Sequence, residues 1–334
     1  MLKTARAFLQ RDGASSANSS ELNRIRDDRV AGTCEWIREH SVFQQWISDE
    51  GRAHPILWVH GKQGIGKSVL CAAVVDHLRD DPALNGVAFQ FITRQQFLTK
   101  QQLLGNLAGQ LLGTLIDRNE HVISSSMQRC LDNLDDENQA WILVRHIFER
   151  LPRTYILFDG IDEVDYVDDE SQTDTKLRSR KVLYDFFKLV LAEVRRIPDK
   201  IRIWCSSQVT TKITHCLNPE HDSVAQIALT PGHTADDMYK FLMEKVEAPN
   251  DLTDRISKAL ITAAVLTEVE GSFLWVKLML EGMNDPESPL ESFNDKVEYI
   301  RRSLPRSMEN TYTMIMRRIQ ARADESNKNL ATWR

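Results

Sequence analysis

The chain has 334 residues, of which 42% are hydrophobic and 27% are charged, so it can bury a substantial core. Its length favours two domains over one. The formal net charge of −6 argues against a dedicated nucleic-acid surface, because proteins that bind a duplex usually carry a clustered basic face.

The cysteines and the apolar segments bear on where the protein resides. Five cysteines are scattered without a Cys-x-x-Cys pair, so we expect neither a disulfide framework nor a zinc site. No stretch approaches the roughly twenty apolar residues that cross a bilayer, and the polar first residues lack the apolar core of a secretory signal. We therefore expect a cytoplasmic protein with neither a membrane nor a nucleic acid as partner.

The N-terminal segment, residues 1–28, is rich in Ser and then in charged residues. It offers little to bury, so its composition predicts a flexible arm. From Val30 onward, aromatic and aliphatic residues recur at roughly helical spacing and lead into the first strand. We therefore place the start of the folded domain at residue 29.

The stretch after the first strand carries the strongest motif. Ile56–Val59 is a continuous apolar run, as expected of a central parallel strand covered on both faces. Gly61–Ser68 matches G-x-x-x-x-G-K-[ST] in full, and a helix is predicted over Lys67–Leu78. Strand, glycine-rich loop and helix in this order predict a phosphate site, because loop N–H groups and the positive helix end attract anions.

This loop gives individual residues predicted roles. Lys67 would neutralise charge on the β- and γ-phosphates, and the Ser68 hydroxyl would ligate Mg²⁺. The predicted nucleotide contacts in this stretch are Gly61, Gln63, Gly64, Ile65, Gly66, Lys67, Ser68 and Val69.

A second acidic motif lies further along the chain. After a predicted strand at Val87–Ile92 and helical periodicity over 99–116 and 139–151, the apolar run 154–158 ends in the sequence DGIDE, the form of a Walker B strand. Ligands bind at the carboxyl edge of parallel sheets, and Mg²⁺ prefers oxygen ligands and water. We assign Asp159 to Mg²⁺ through water, and Asp162 and Glu163 to orienting or deprotonating an attacking water.

The rest of the chain completes the sheet and then becomes helical. We predict an exposed loop over 164–180, a helix over 181–196, a strand over 201–205 that ends in Ser-Ser-Gln, and a fifth strand over 224–229. After residue 231 the strand signals stop, and helices are predicted around 256–269, 273–283 and 312–319. The predicted fold is α/β: a P-loop NTPase three-layer sandwich with a five-stranded parallel sheet over residues 29–231, followed by an all-helical domain over 232–334.

Several short segments together resemble a known family. They are GTCEWI before the first strand, GKQGIGKS, DGIDE, the strand ending in SSQ, GSFLWVKLML at 271–280 and LPRSMENTY at 304–312. In this order they resemble the NACHT-type STAND nucleoside triphosphatases, especially the fungal branch with a nephrocystin-like N-terminal P-loop domain. The resemblance runs from about residue 29 to residue 319.

The resemblance implies a molecular switch that is closed with ADP at rest and open with ATP when triggered, with Mg²⁺ as its metal. It implies signalling in innate-immunity or incompatibility-type responses, through a protein partner that supplies an effector or sensor domain in trans, and nucleotide-dependent self-association. It places Val30, Gly32 and Thr33 beside the adenine base. It also makes the helical domain a lid, whose 271–275 segment packs against the nucleotide domain.

The sequence departs from the family pattern at two places. Gln208 stands where the family has an arginine that senses the γ-phosphate, so we expect ATP hydrolysis to be slow or conditional. The chain ends where relatives continue into a winged-helix domain, so we expect a weaker hold on bound ADP. The catalytic candidates are Lys67, Asp162, Glu163 and Gln208.

Two other functions stay open. The chain could be a catalytically degenerate module that acts by binding nucleotide alone, and multiple-turnover phosphate release would separate it from a weak ATPase. An AAA-type motor or DNA-processing ATPase fits less well, because the acidic charge balance gives no nucleic-acid footprint. A guanine-reading N-K-x-D tetrad is not seen in the sequence, which favours ATP over GTP only weakly.

Overall fold

The computed structural model describes residues 13–80, 86–93, 99–118, 123–134, 136–163, 174–217, 223–246 and 271–283, with isolated positions between 259 and 298. The chain separates into two compact units. The first comprises Met1–Lys62 and Gly66–His233, and the second comprises Gln63–Ile65 and Thr234–Arg334. The division after His233 lies close to the boundary that the sequence predicts after residue 231.

The first unit is built on one parallel sheet of five strands in the order β2-β3-β4-β1-β5. The strands are β1 (Ile56–His60), β2 (Gly86–Phe91), β3 (Thr154–Asp159), β4 (Ile201–Ser207) and β5 (Val224–Ala228). Every side chain of β2, β3 and β4 is buried, so both faces of the sheet are covered there. The prediction of an α/β fold with a five-stranded parallel sheet is confirmed.

Ten α-helices have bounds in the described part of the chain. They are α1 (Gly13–Asp28), α2 (Ser41–Ile47), α3 (Lys67–Arg79), α4 (Lys100–Arg118), α5 (Ser125–Asp132), α6 (Glu137–Arg150), α7 (Asp174–Arg196), α8 (Thr211–Leu217), α9 (Pro231–Lys245) and α10 (Phe273–Met283). Short 3₁₀ helices at Glu35–Glu39 and Asp49–Arg52 flank α2. Helices α5 and α8 were not predicted, because elements of eight and seven residues are too short for a clear period.

The second unit has its own apolar core, contributed by α9, α10 and positions 246, 261 and 265. The buried side chains are Met238, Leu242, Val246, Ile261, Val265, Trp275, Val276, Met279 and Leu280. Within this unit the Phe273 N–H donates a hydrogen bond of 2.8 Å to the Gly64 carbonyl. The predicted helix at 312–319 lies outside the described residues, and only isolated positions of the one at 256–269 are described.

The structure corrects the prediction of a flexible arm over residues 1–28, as far as its described part extends. Residues 13–28 form α1, which buries Asn18, Leu22 and Ile25 to 4% exposure or less. Ser and Asn are weak helix formers, so composition pointed to an arm, but contacts with the rest of the domain outweigh propensity. The overlooked signal was the i, i+4, i+7 spacing of these three residues, which places them on one helix face.

Helix α1 closes the free edge of the sheet. Strand β2 is the outermost strand at its end of the sheet, so its odd-numbered residues turn their N–H and C=O groups away from β3. The Asn18 carboxamide accepts from the Phe91 N–H at 3.2 Å and donates to the Phe89 carbonyl at 3.4 Å. Gln110 of α4 accepts from the Phe89 N–H at 3.0 Å and donates to its carbonyl at 2.9 Å. Two side-chain amides therefore make hydrogen bonds with β2 that a sixth strand would otherwise make.

The substitution Asn18→Leu tests this edge closure. Leucine matches the shape of asparagine but leaves the Phe91 N–H without its acceptor, and a buried unpaired group costs about 1–3 kcal/mol. We expect a loss of that size in the free energy of unfolding, measured by urea denaturation, together with concentration-dependent self-association through the freed edge. The control is Asn23→Leu, on the exposed side of the same helix. Equal effects from the two variants would contradict the edge-closing role.

Candidate nucleotide and magnesium site

The phosphate loop connects β1 to α3. Gly64 and Gly66 have φ angles of +77° and +99°, in the left-handed region where a side chain is strained, and Gly66 is the N-cap of α3. Ile65 between them is buried at 3% exposure. The glycine spacing of the motif is thus required by the backbone, as a phosphate-binding loop demands.

Lys67 occupies the first turn of α3. Its Nζ donates to the carbonyls of Gly61 at 2.9 Å and Lys62 at 3.0 Å. Burial lowers the pKa of Lys67, and the negative charges of Asp162, Asp159 and Glu163, in that order of size, oppose the shift. The predicted phosphate-binding lysine therefore lies near the three acidic residues at the end of β3 and in the turn after it.

Ser68 and Asp159, the two predicted Mg²⁺ ligands, are neighbours, because Ser68 is among the groups that lower the pKa of the Asp159 carboxyl. Asp159 is 5% exposed at the end of β3, and burial raises its pKa, while hydrogen bonds from Ser206 and Ser68 oppose the rise. A hydroxyl and a carboxylate side by side are oxygen donors of the kind that Mg²⁺ takes, with water and phosphate completing its shell. These residues fit the metal that the loop implies.

The turn after β3 positions the remaining acidic residues. Gly160 has a φ of +75°, and a Cβ added there would lie 2.7 Å from the Ile92 carbonyl oxygen. The Glu163 N–H donates to the Gly160 carbonyl at 2.9 Å, and Asp162 is 2% exposed. The two acids therefore follow the strand end in a tight turn beside Lys67.

Gln208 directly follows β4, which lies between β3 and β1 in the sheet. Its side chain is half-buried at the same sheet edge as Asp159. Two basic residues are the alternatives to Gln208 as the γ-phosphate sensor: Lys212 is exposed on α8, and Arg94 lies outside the described residues. Sensing of the γ-phosphate by Gln208 stays a prediction.

The predicted base contacts form a turn before the first 3₁₀ helix. The Thr33 hydroxyl donates to the Val30 carbonyl at 2.7 Å, and the Thr33 N–H donates to the same oxygen at 3.2 Å. Gly32 has a φ of +75° and Val30 is 6% exposed. The Thr33 side chain thus stabilises its own turn, and a base contact by these residues stays a prediction.

A cavity of about 310 Å³ lies along the second half of α3. Asp76 is paired there with Arg26 and, at 3.6 Å, with Arg29. Arginines suit the negative end of a helix, so these pairs join α1 to α3. The phosphate loop is at the opposite end of α3, and the described lining of this cavity contains no loop residue.

Membrane spans and metal-binding clusters would each point to other functions. Within the described ranges, no helix is both long and apolar enough to cross a membrane. Among the same residues, no three or more His, Cys, Asp and Glu side chains are grouped as a metal site would group them. A Mg²⁺ site of one hydroxyl and one carboxylate, completed by phosphate and water, needs no such group.

The comparison with known families matches residues 32–208, more than half of the chain, to the family described as nephrocystin 3, N-terminal. The chain belongs to this family. The match covers the turn at residues 32–33, the phosphate loop, the acidic motif and Gln208, and it bears out the resemblance to fungal nephrocystin-like P-loop NTPases.

One named relative and two solved structures are similar to the chain at low sequence identity. The chain is 22% identical to the vegetative incompatibility protein HET-E-1 of Podospora anserina over 85% of its own length, and it spans 20% of that protein. The Walker-type ATPase PABY2304 of Pyrococcus abyssi aligns with 84% of this chain and 75% of its own, and PCH-2 of C. elegans with 85% and 73%. Both structures are 13% identical with a TM-score of 0.42, which adds nothing to the fold that the sheet itself establishes.

The substitution Gly160→Ala tests the turn that carries the acidic residues. Alanine would be strained at a φ of +75° and would collide with the Ile92 carbonyl, so we expect a loss of about 1–3 kcal/mol in the free energy of unfolding. The measurement is urea denaturation. The control is Gly113→Ala in α4, where nothing lies within 4 Å and helix propensity should stabilise by about 0.5–1 kcal/mol. Equal stability of Gly160→Ala and the unaltered chain would refute the strain.

Proposed function

We propose that this chain is the nucleotide-binding part of a cytoplasmic ATP/ADP switch of the STAND class, with slow or conditional ATP hydrolysis, acting in incompatibility-type signalling. The observation that carries the proposal is that Lys67, in a complete phosphate loop, lies near three carboxylates. A lysine that donates to loop carbonyls, with acidic residues nearby, is placed to exchange those carbonyls for phosphate oxygens. The Ser68 and Asp159 pair gives the same edge of the sheet a place for Mg²⁺.

The residues divide the work of phosphoryl transfer among them. Lys67 binds the β- and γ-phosphates, and Ser68 and Asp159 hold the metal, which neutralises phosphate charge when bound. Asp162 is 2% exposed, and its negative charge favours the charged form of Lys67. Glu163, less buried than Asp162, is the residue to orient and deprotonate the attacking water.

Slow turnover follows from Gln208. An arginine would bring a permanent charge and a fork of donors to the γ-phosphate, whereas glutamine brings one neutral amide. The charge that develops on the transferred phosphoryl is then less stabilised. The same observation favours a second candidate, a module that binds nucleotide without hydrolysing it, and multiple-turnover phosphate release distinguishes the two.

The signalling role is proposed from the relative HET-E-1, which is named a vegetative incompatibility protein. A switch of this kind passes its state to a protein partner that carries an effector or sensor, or to a further copy of the chain. Differential affinity of the two nucleotide states for that partner would supply the coupling. ADP and ATP bound to the purified chain are therefore the two states to compare in assays of self-association.

Lys67→Ala tests nucleotide binding. It removes the cation that faces the phosphates, and hydrogen bonds to charged groups are worth about 1.5–3 kcal/mol each, so we expect ATP and ADP affinity to fall by on the order of a hundredfold. The measurement is calorimetric titration with Mg-ATP and Mg-ADP. The control is Lys62→Ala, an exposed lysine of the same loop that we do not place in contact with phosphate. Unchanged affinity in Lys67→Ala would remove the loop as the nucleotide site.

Gln208→Arg tests the limit on hydrolysis. A charged donor at this position should stabilise the transition state, and single contacts of this class are worth about 10²–10³ in rate in other enzymes. We expect phosphate release to rise at least about tenfold, with a preference for ATP over ADP, in a multiple-turnover assay. Gln208→Lys distinguishes charge from the guanidinium fork. If neither variant changes turnover or nucleotide preference, position 208 does not read the γ-phosphate.

A further inference from the structure

We infer that Ser206 is a positioning residue that holds Asp159 in the orientation needed for Mg²⁺. The inference rests on the proposed function, because it concerns the metal site of that function. Ser206 and Asp159 are register partners on the parallel strands β4 and β3. Ser206 is 0% exposed and Asp159 is 5% exposed, so water competes little with contacts between them.

The Ser206 side chain is committed to the carboxylate. Its hydroxyl donates to Asp159 Oδ1, in a shorter contact than the 3.4 Å that separates it from the Phe158 carbonyl. A hydroxyl has a single proton, so the closer, charged acceptor takes it. This bond fixes the rotation of the Asp159 carboxylate.

The Ser206 backbone holds the turn that follows. Its carbonyl accepts from the Gly160 N–H at 3.0 Å and from the Ile161 N–H at 3.2 Å. One residue of β4 therefore sets both the orientation of Asp159 and the start of the turn that leads to Asp162 and Glu163. Substitution of the side chain separates the first of these effects from the second, because the carbonyl stays in place.

Ser68 cannot replace this hydroxyl once the metal is bound. Ser206 donates a hydrogen bond to Asp159, and Ser68 is close enough to lower the pKa of the same carboxyl. The Ser68 hydroxyl is the one that turns to Mg²⁺ in a phosphate loop. Ser206 then remains to hold the carboxylate, and partners that orient metal ligands in this way are typically worth 10- to 100-fold in metal affinity.

Ser207 provides a matched control. It is the next residue of β4, equally 0% exposed, and its hydroxyl accepts from the Trp58 indole N–H at 2.8 Å. It makes a buried hydrogen bond on the same strand without touching the carboxylate. A general effect of losing a buried hydroxyl would appear in Ser207→Ala as well.

The experiment measures ADP affinity of the full chain by calorimetry across a Mg²⁺ titration and in EDTA. We expect Ser206→Ala to raise the Mg²⁺ concentration at half-effect by about 10- to 100-fold while ADP affinity in EDTA changes less than about twofold. Ser206→Cys, with nearly the same volume and a weak donor, should show the same loss and serves if the alanine variant does not fold. Ser206→Thr keeps the hydroxyl and should restore the Mg²⁺ dependence.

The outcomes separate the two proposals. Wild-type Mg²⁺ dependence in Ser206→Ala or Ser206→Cys, or an equal loss in Ser207→Ala, overturns the positioning role and leaves the nucleotide site intact. A wild-type chain that binds no nucleotide overturns the proposed function and this inference with it. Loss of Mg²⁺ dependence confined to the Ser206 variants that lack a strong donor supports the inference.

Discussion

Lys67 and the acidic residues beyond β3 are partly or fully withdrawn from water at one edge of the sheet, and each stabilises the charge of the other. Burial lowers the pKa of the lysine and raises that of Asp159, so either charge alone would be costly there. Opposite charges and two hydroxyl donors offset part of this cost. These groups are brought together by the glycines of the loop, the order of the strands and the turn at Gly160. A nucleotide and its metal would therefore bind to charged groups and hydrogen-bond donors that are already oriented.

The parallel direction of the strands places Lys67 and the acidic residues at the same edge of the sheet. In a parallel sheet all carboxyl ends lie at one edge, and β4 separates the phosphate-loop strand from the acidic strand. A residue at the end of β4 is therefore adjacent to both. Three consecutive residues lie there. Ser206 donates a hydrogen bond to the Asp159 carboxylate, Ser207 accepts one from the Trp58 indole, and Gln208 is the predicted γ-phosphate contact.

Much of this could be predicted from the sequence, because the strongest signals are local. Apolar runs identified all five strands, and the glycine spacing identified the loop between β1 and α3. The role of Ser206 was not accessible, since it depends on the register of two strands far apart in the chain. Helix α1 was missed because its Ser- and Asn-rich composition suggests a loop, whereas packing against β2 decides the outcome. Helix α7 begins at Asp174 rather than 181, since the basic run before it continues the helix.

The closure of β2 by side-chain amides changes how the sheet should open. An outermost strand ordinarily exchanges its amide hydrogens with solvent first, because nothing covers its outer N–H groups. Here the amides of Phe89 and Phe91 are bonded to Gln110 and Asn18, so they are expected to exchange as slowly as those of interior strands. Exposure of Phe91 requires α1 to detach first. The N-terminal helix and the distal strand therefore belong to one cooperative unit, although some seventy positions separate them in the chain.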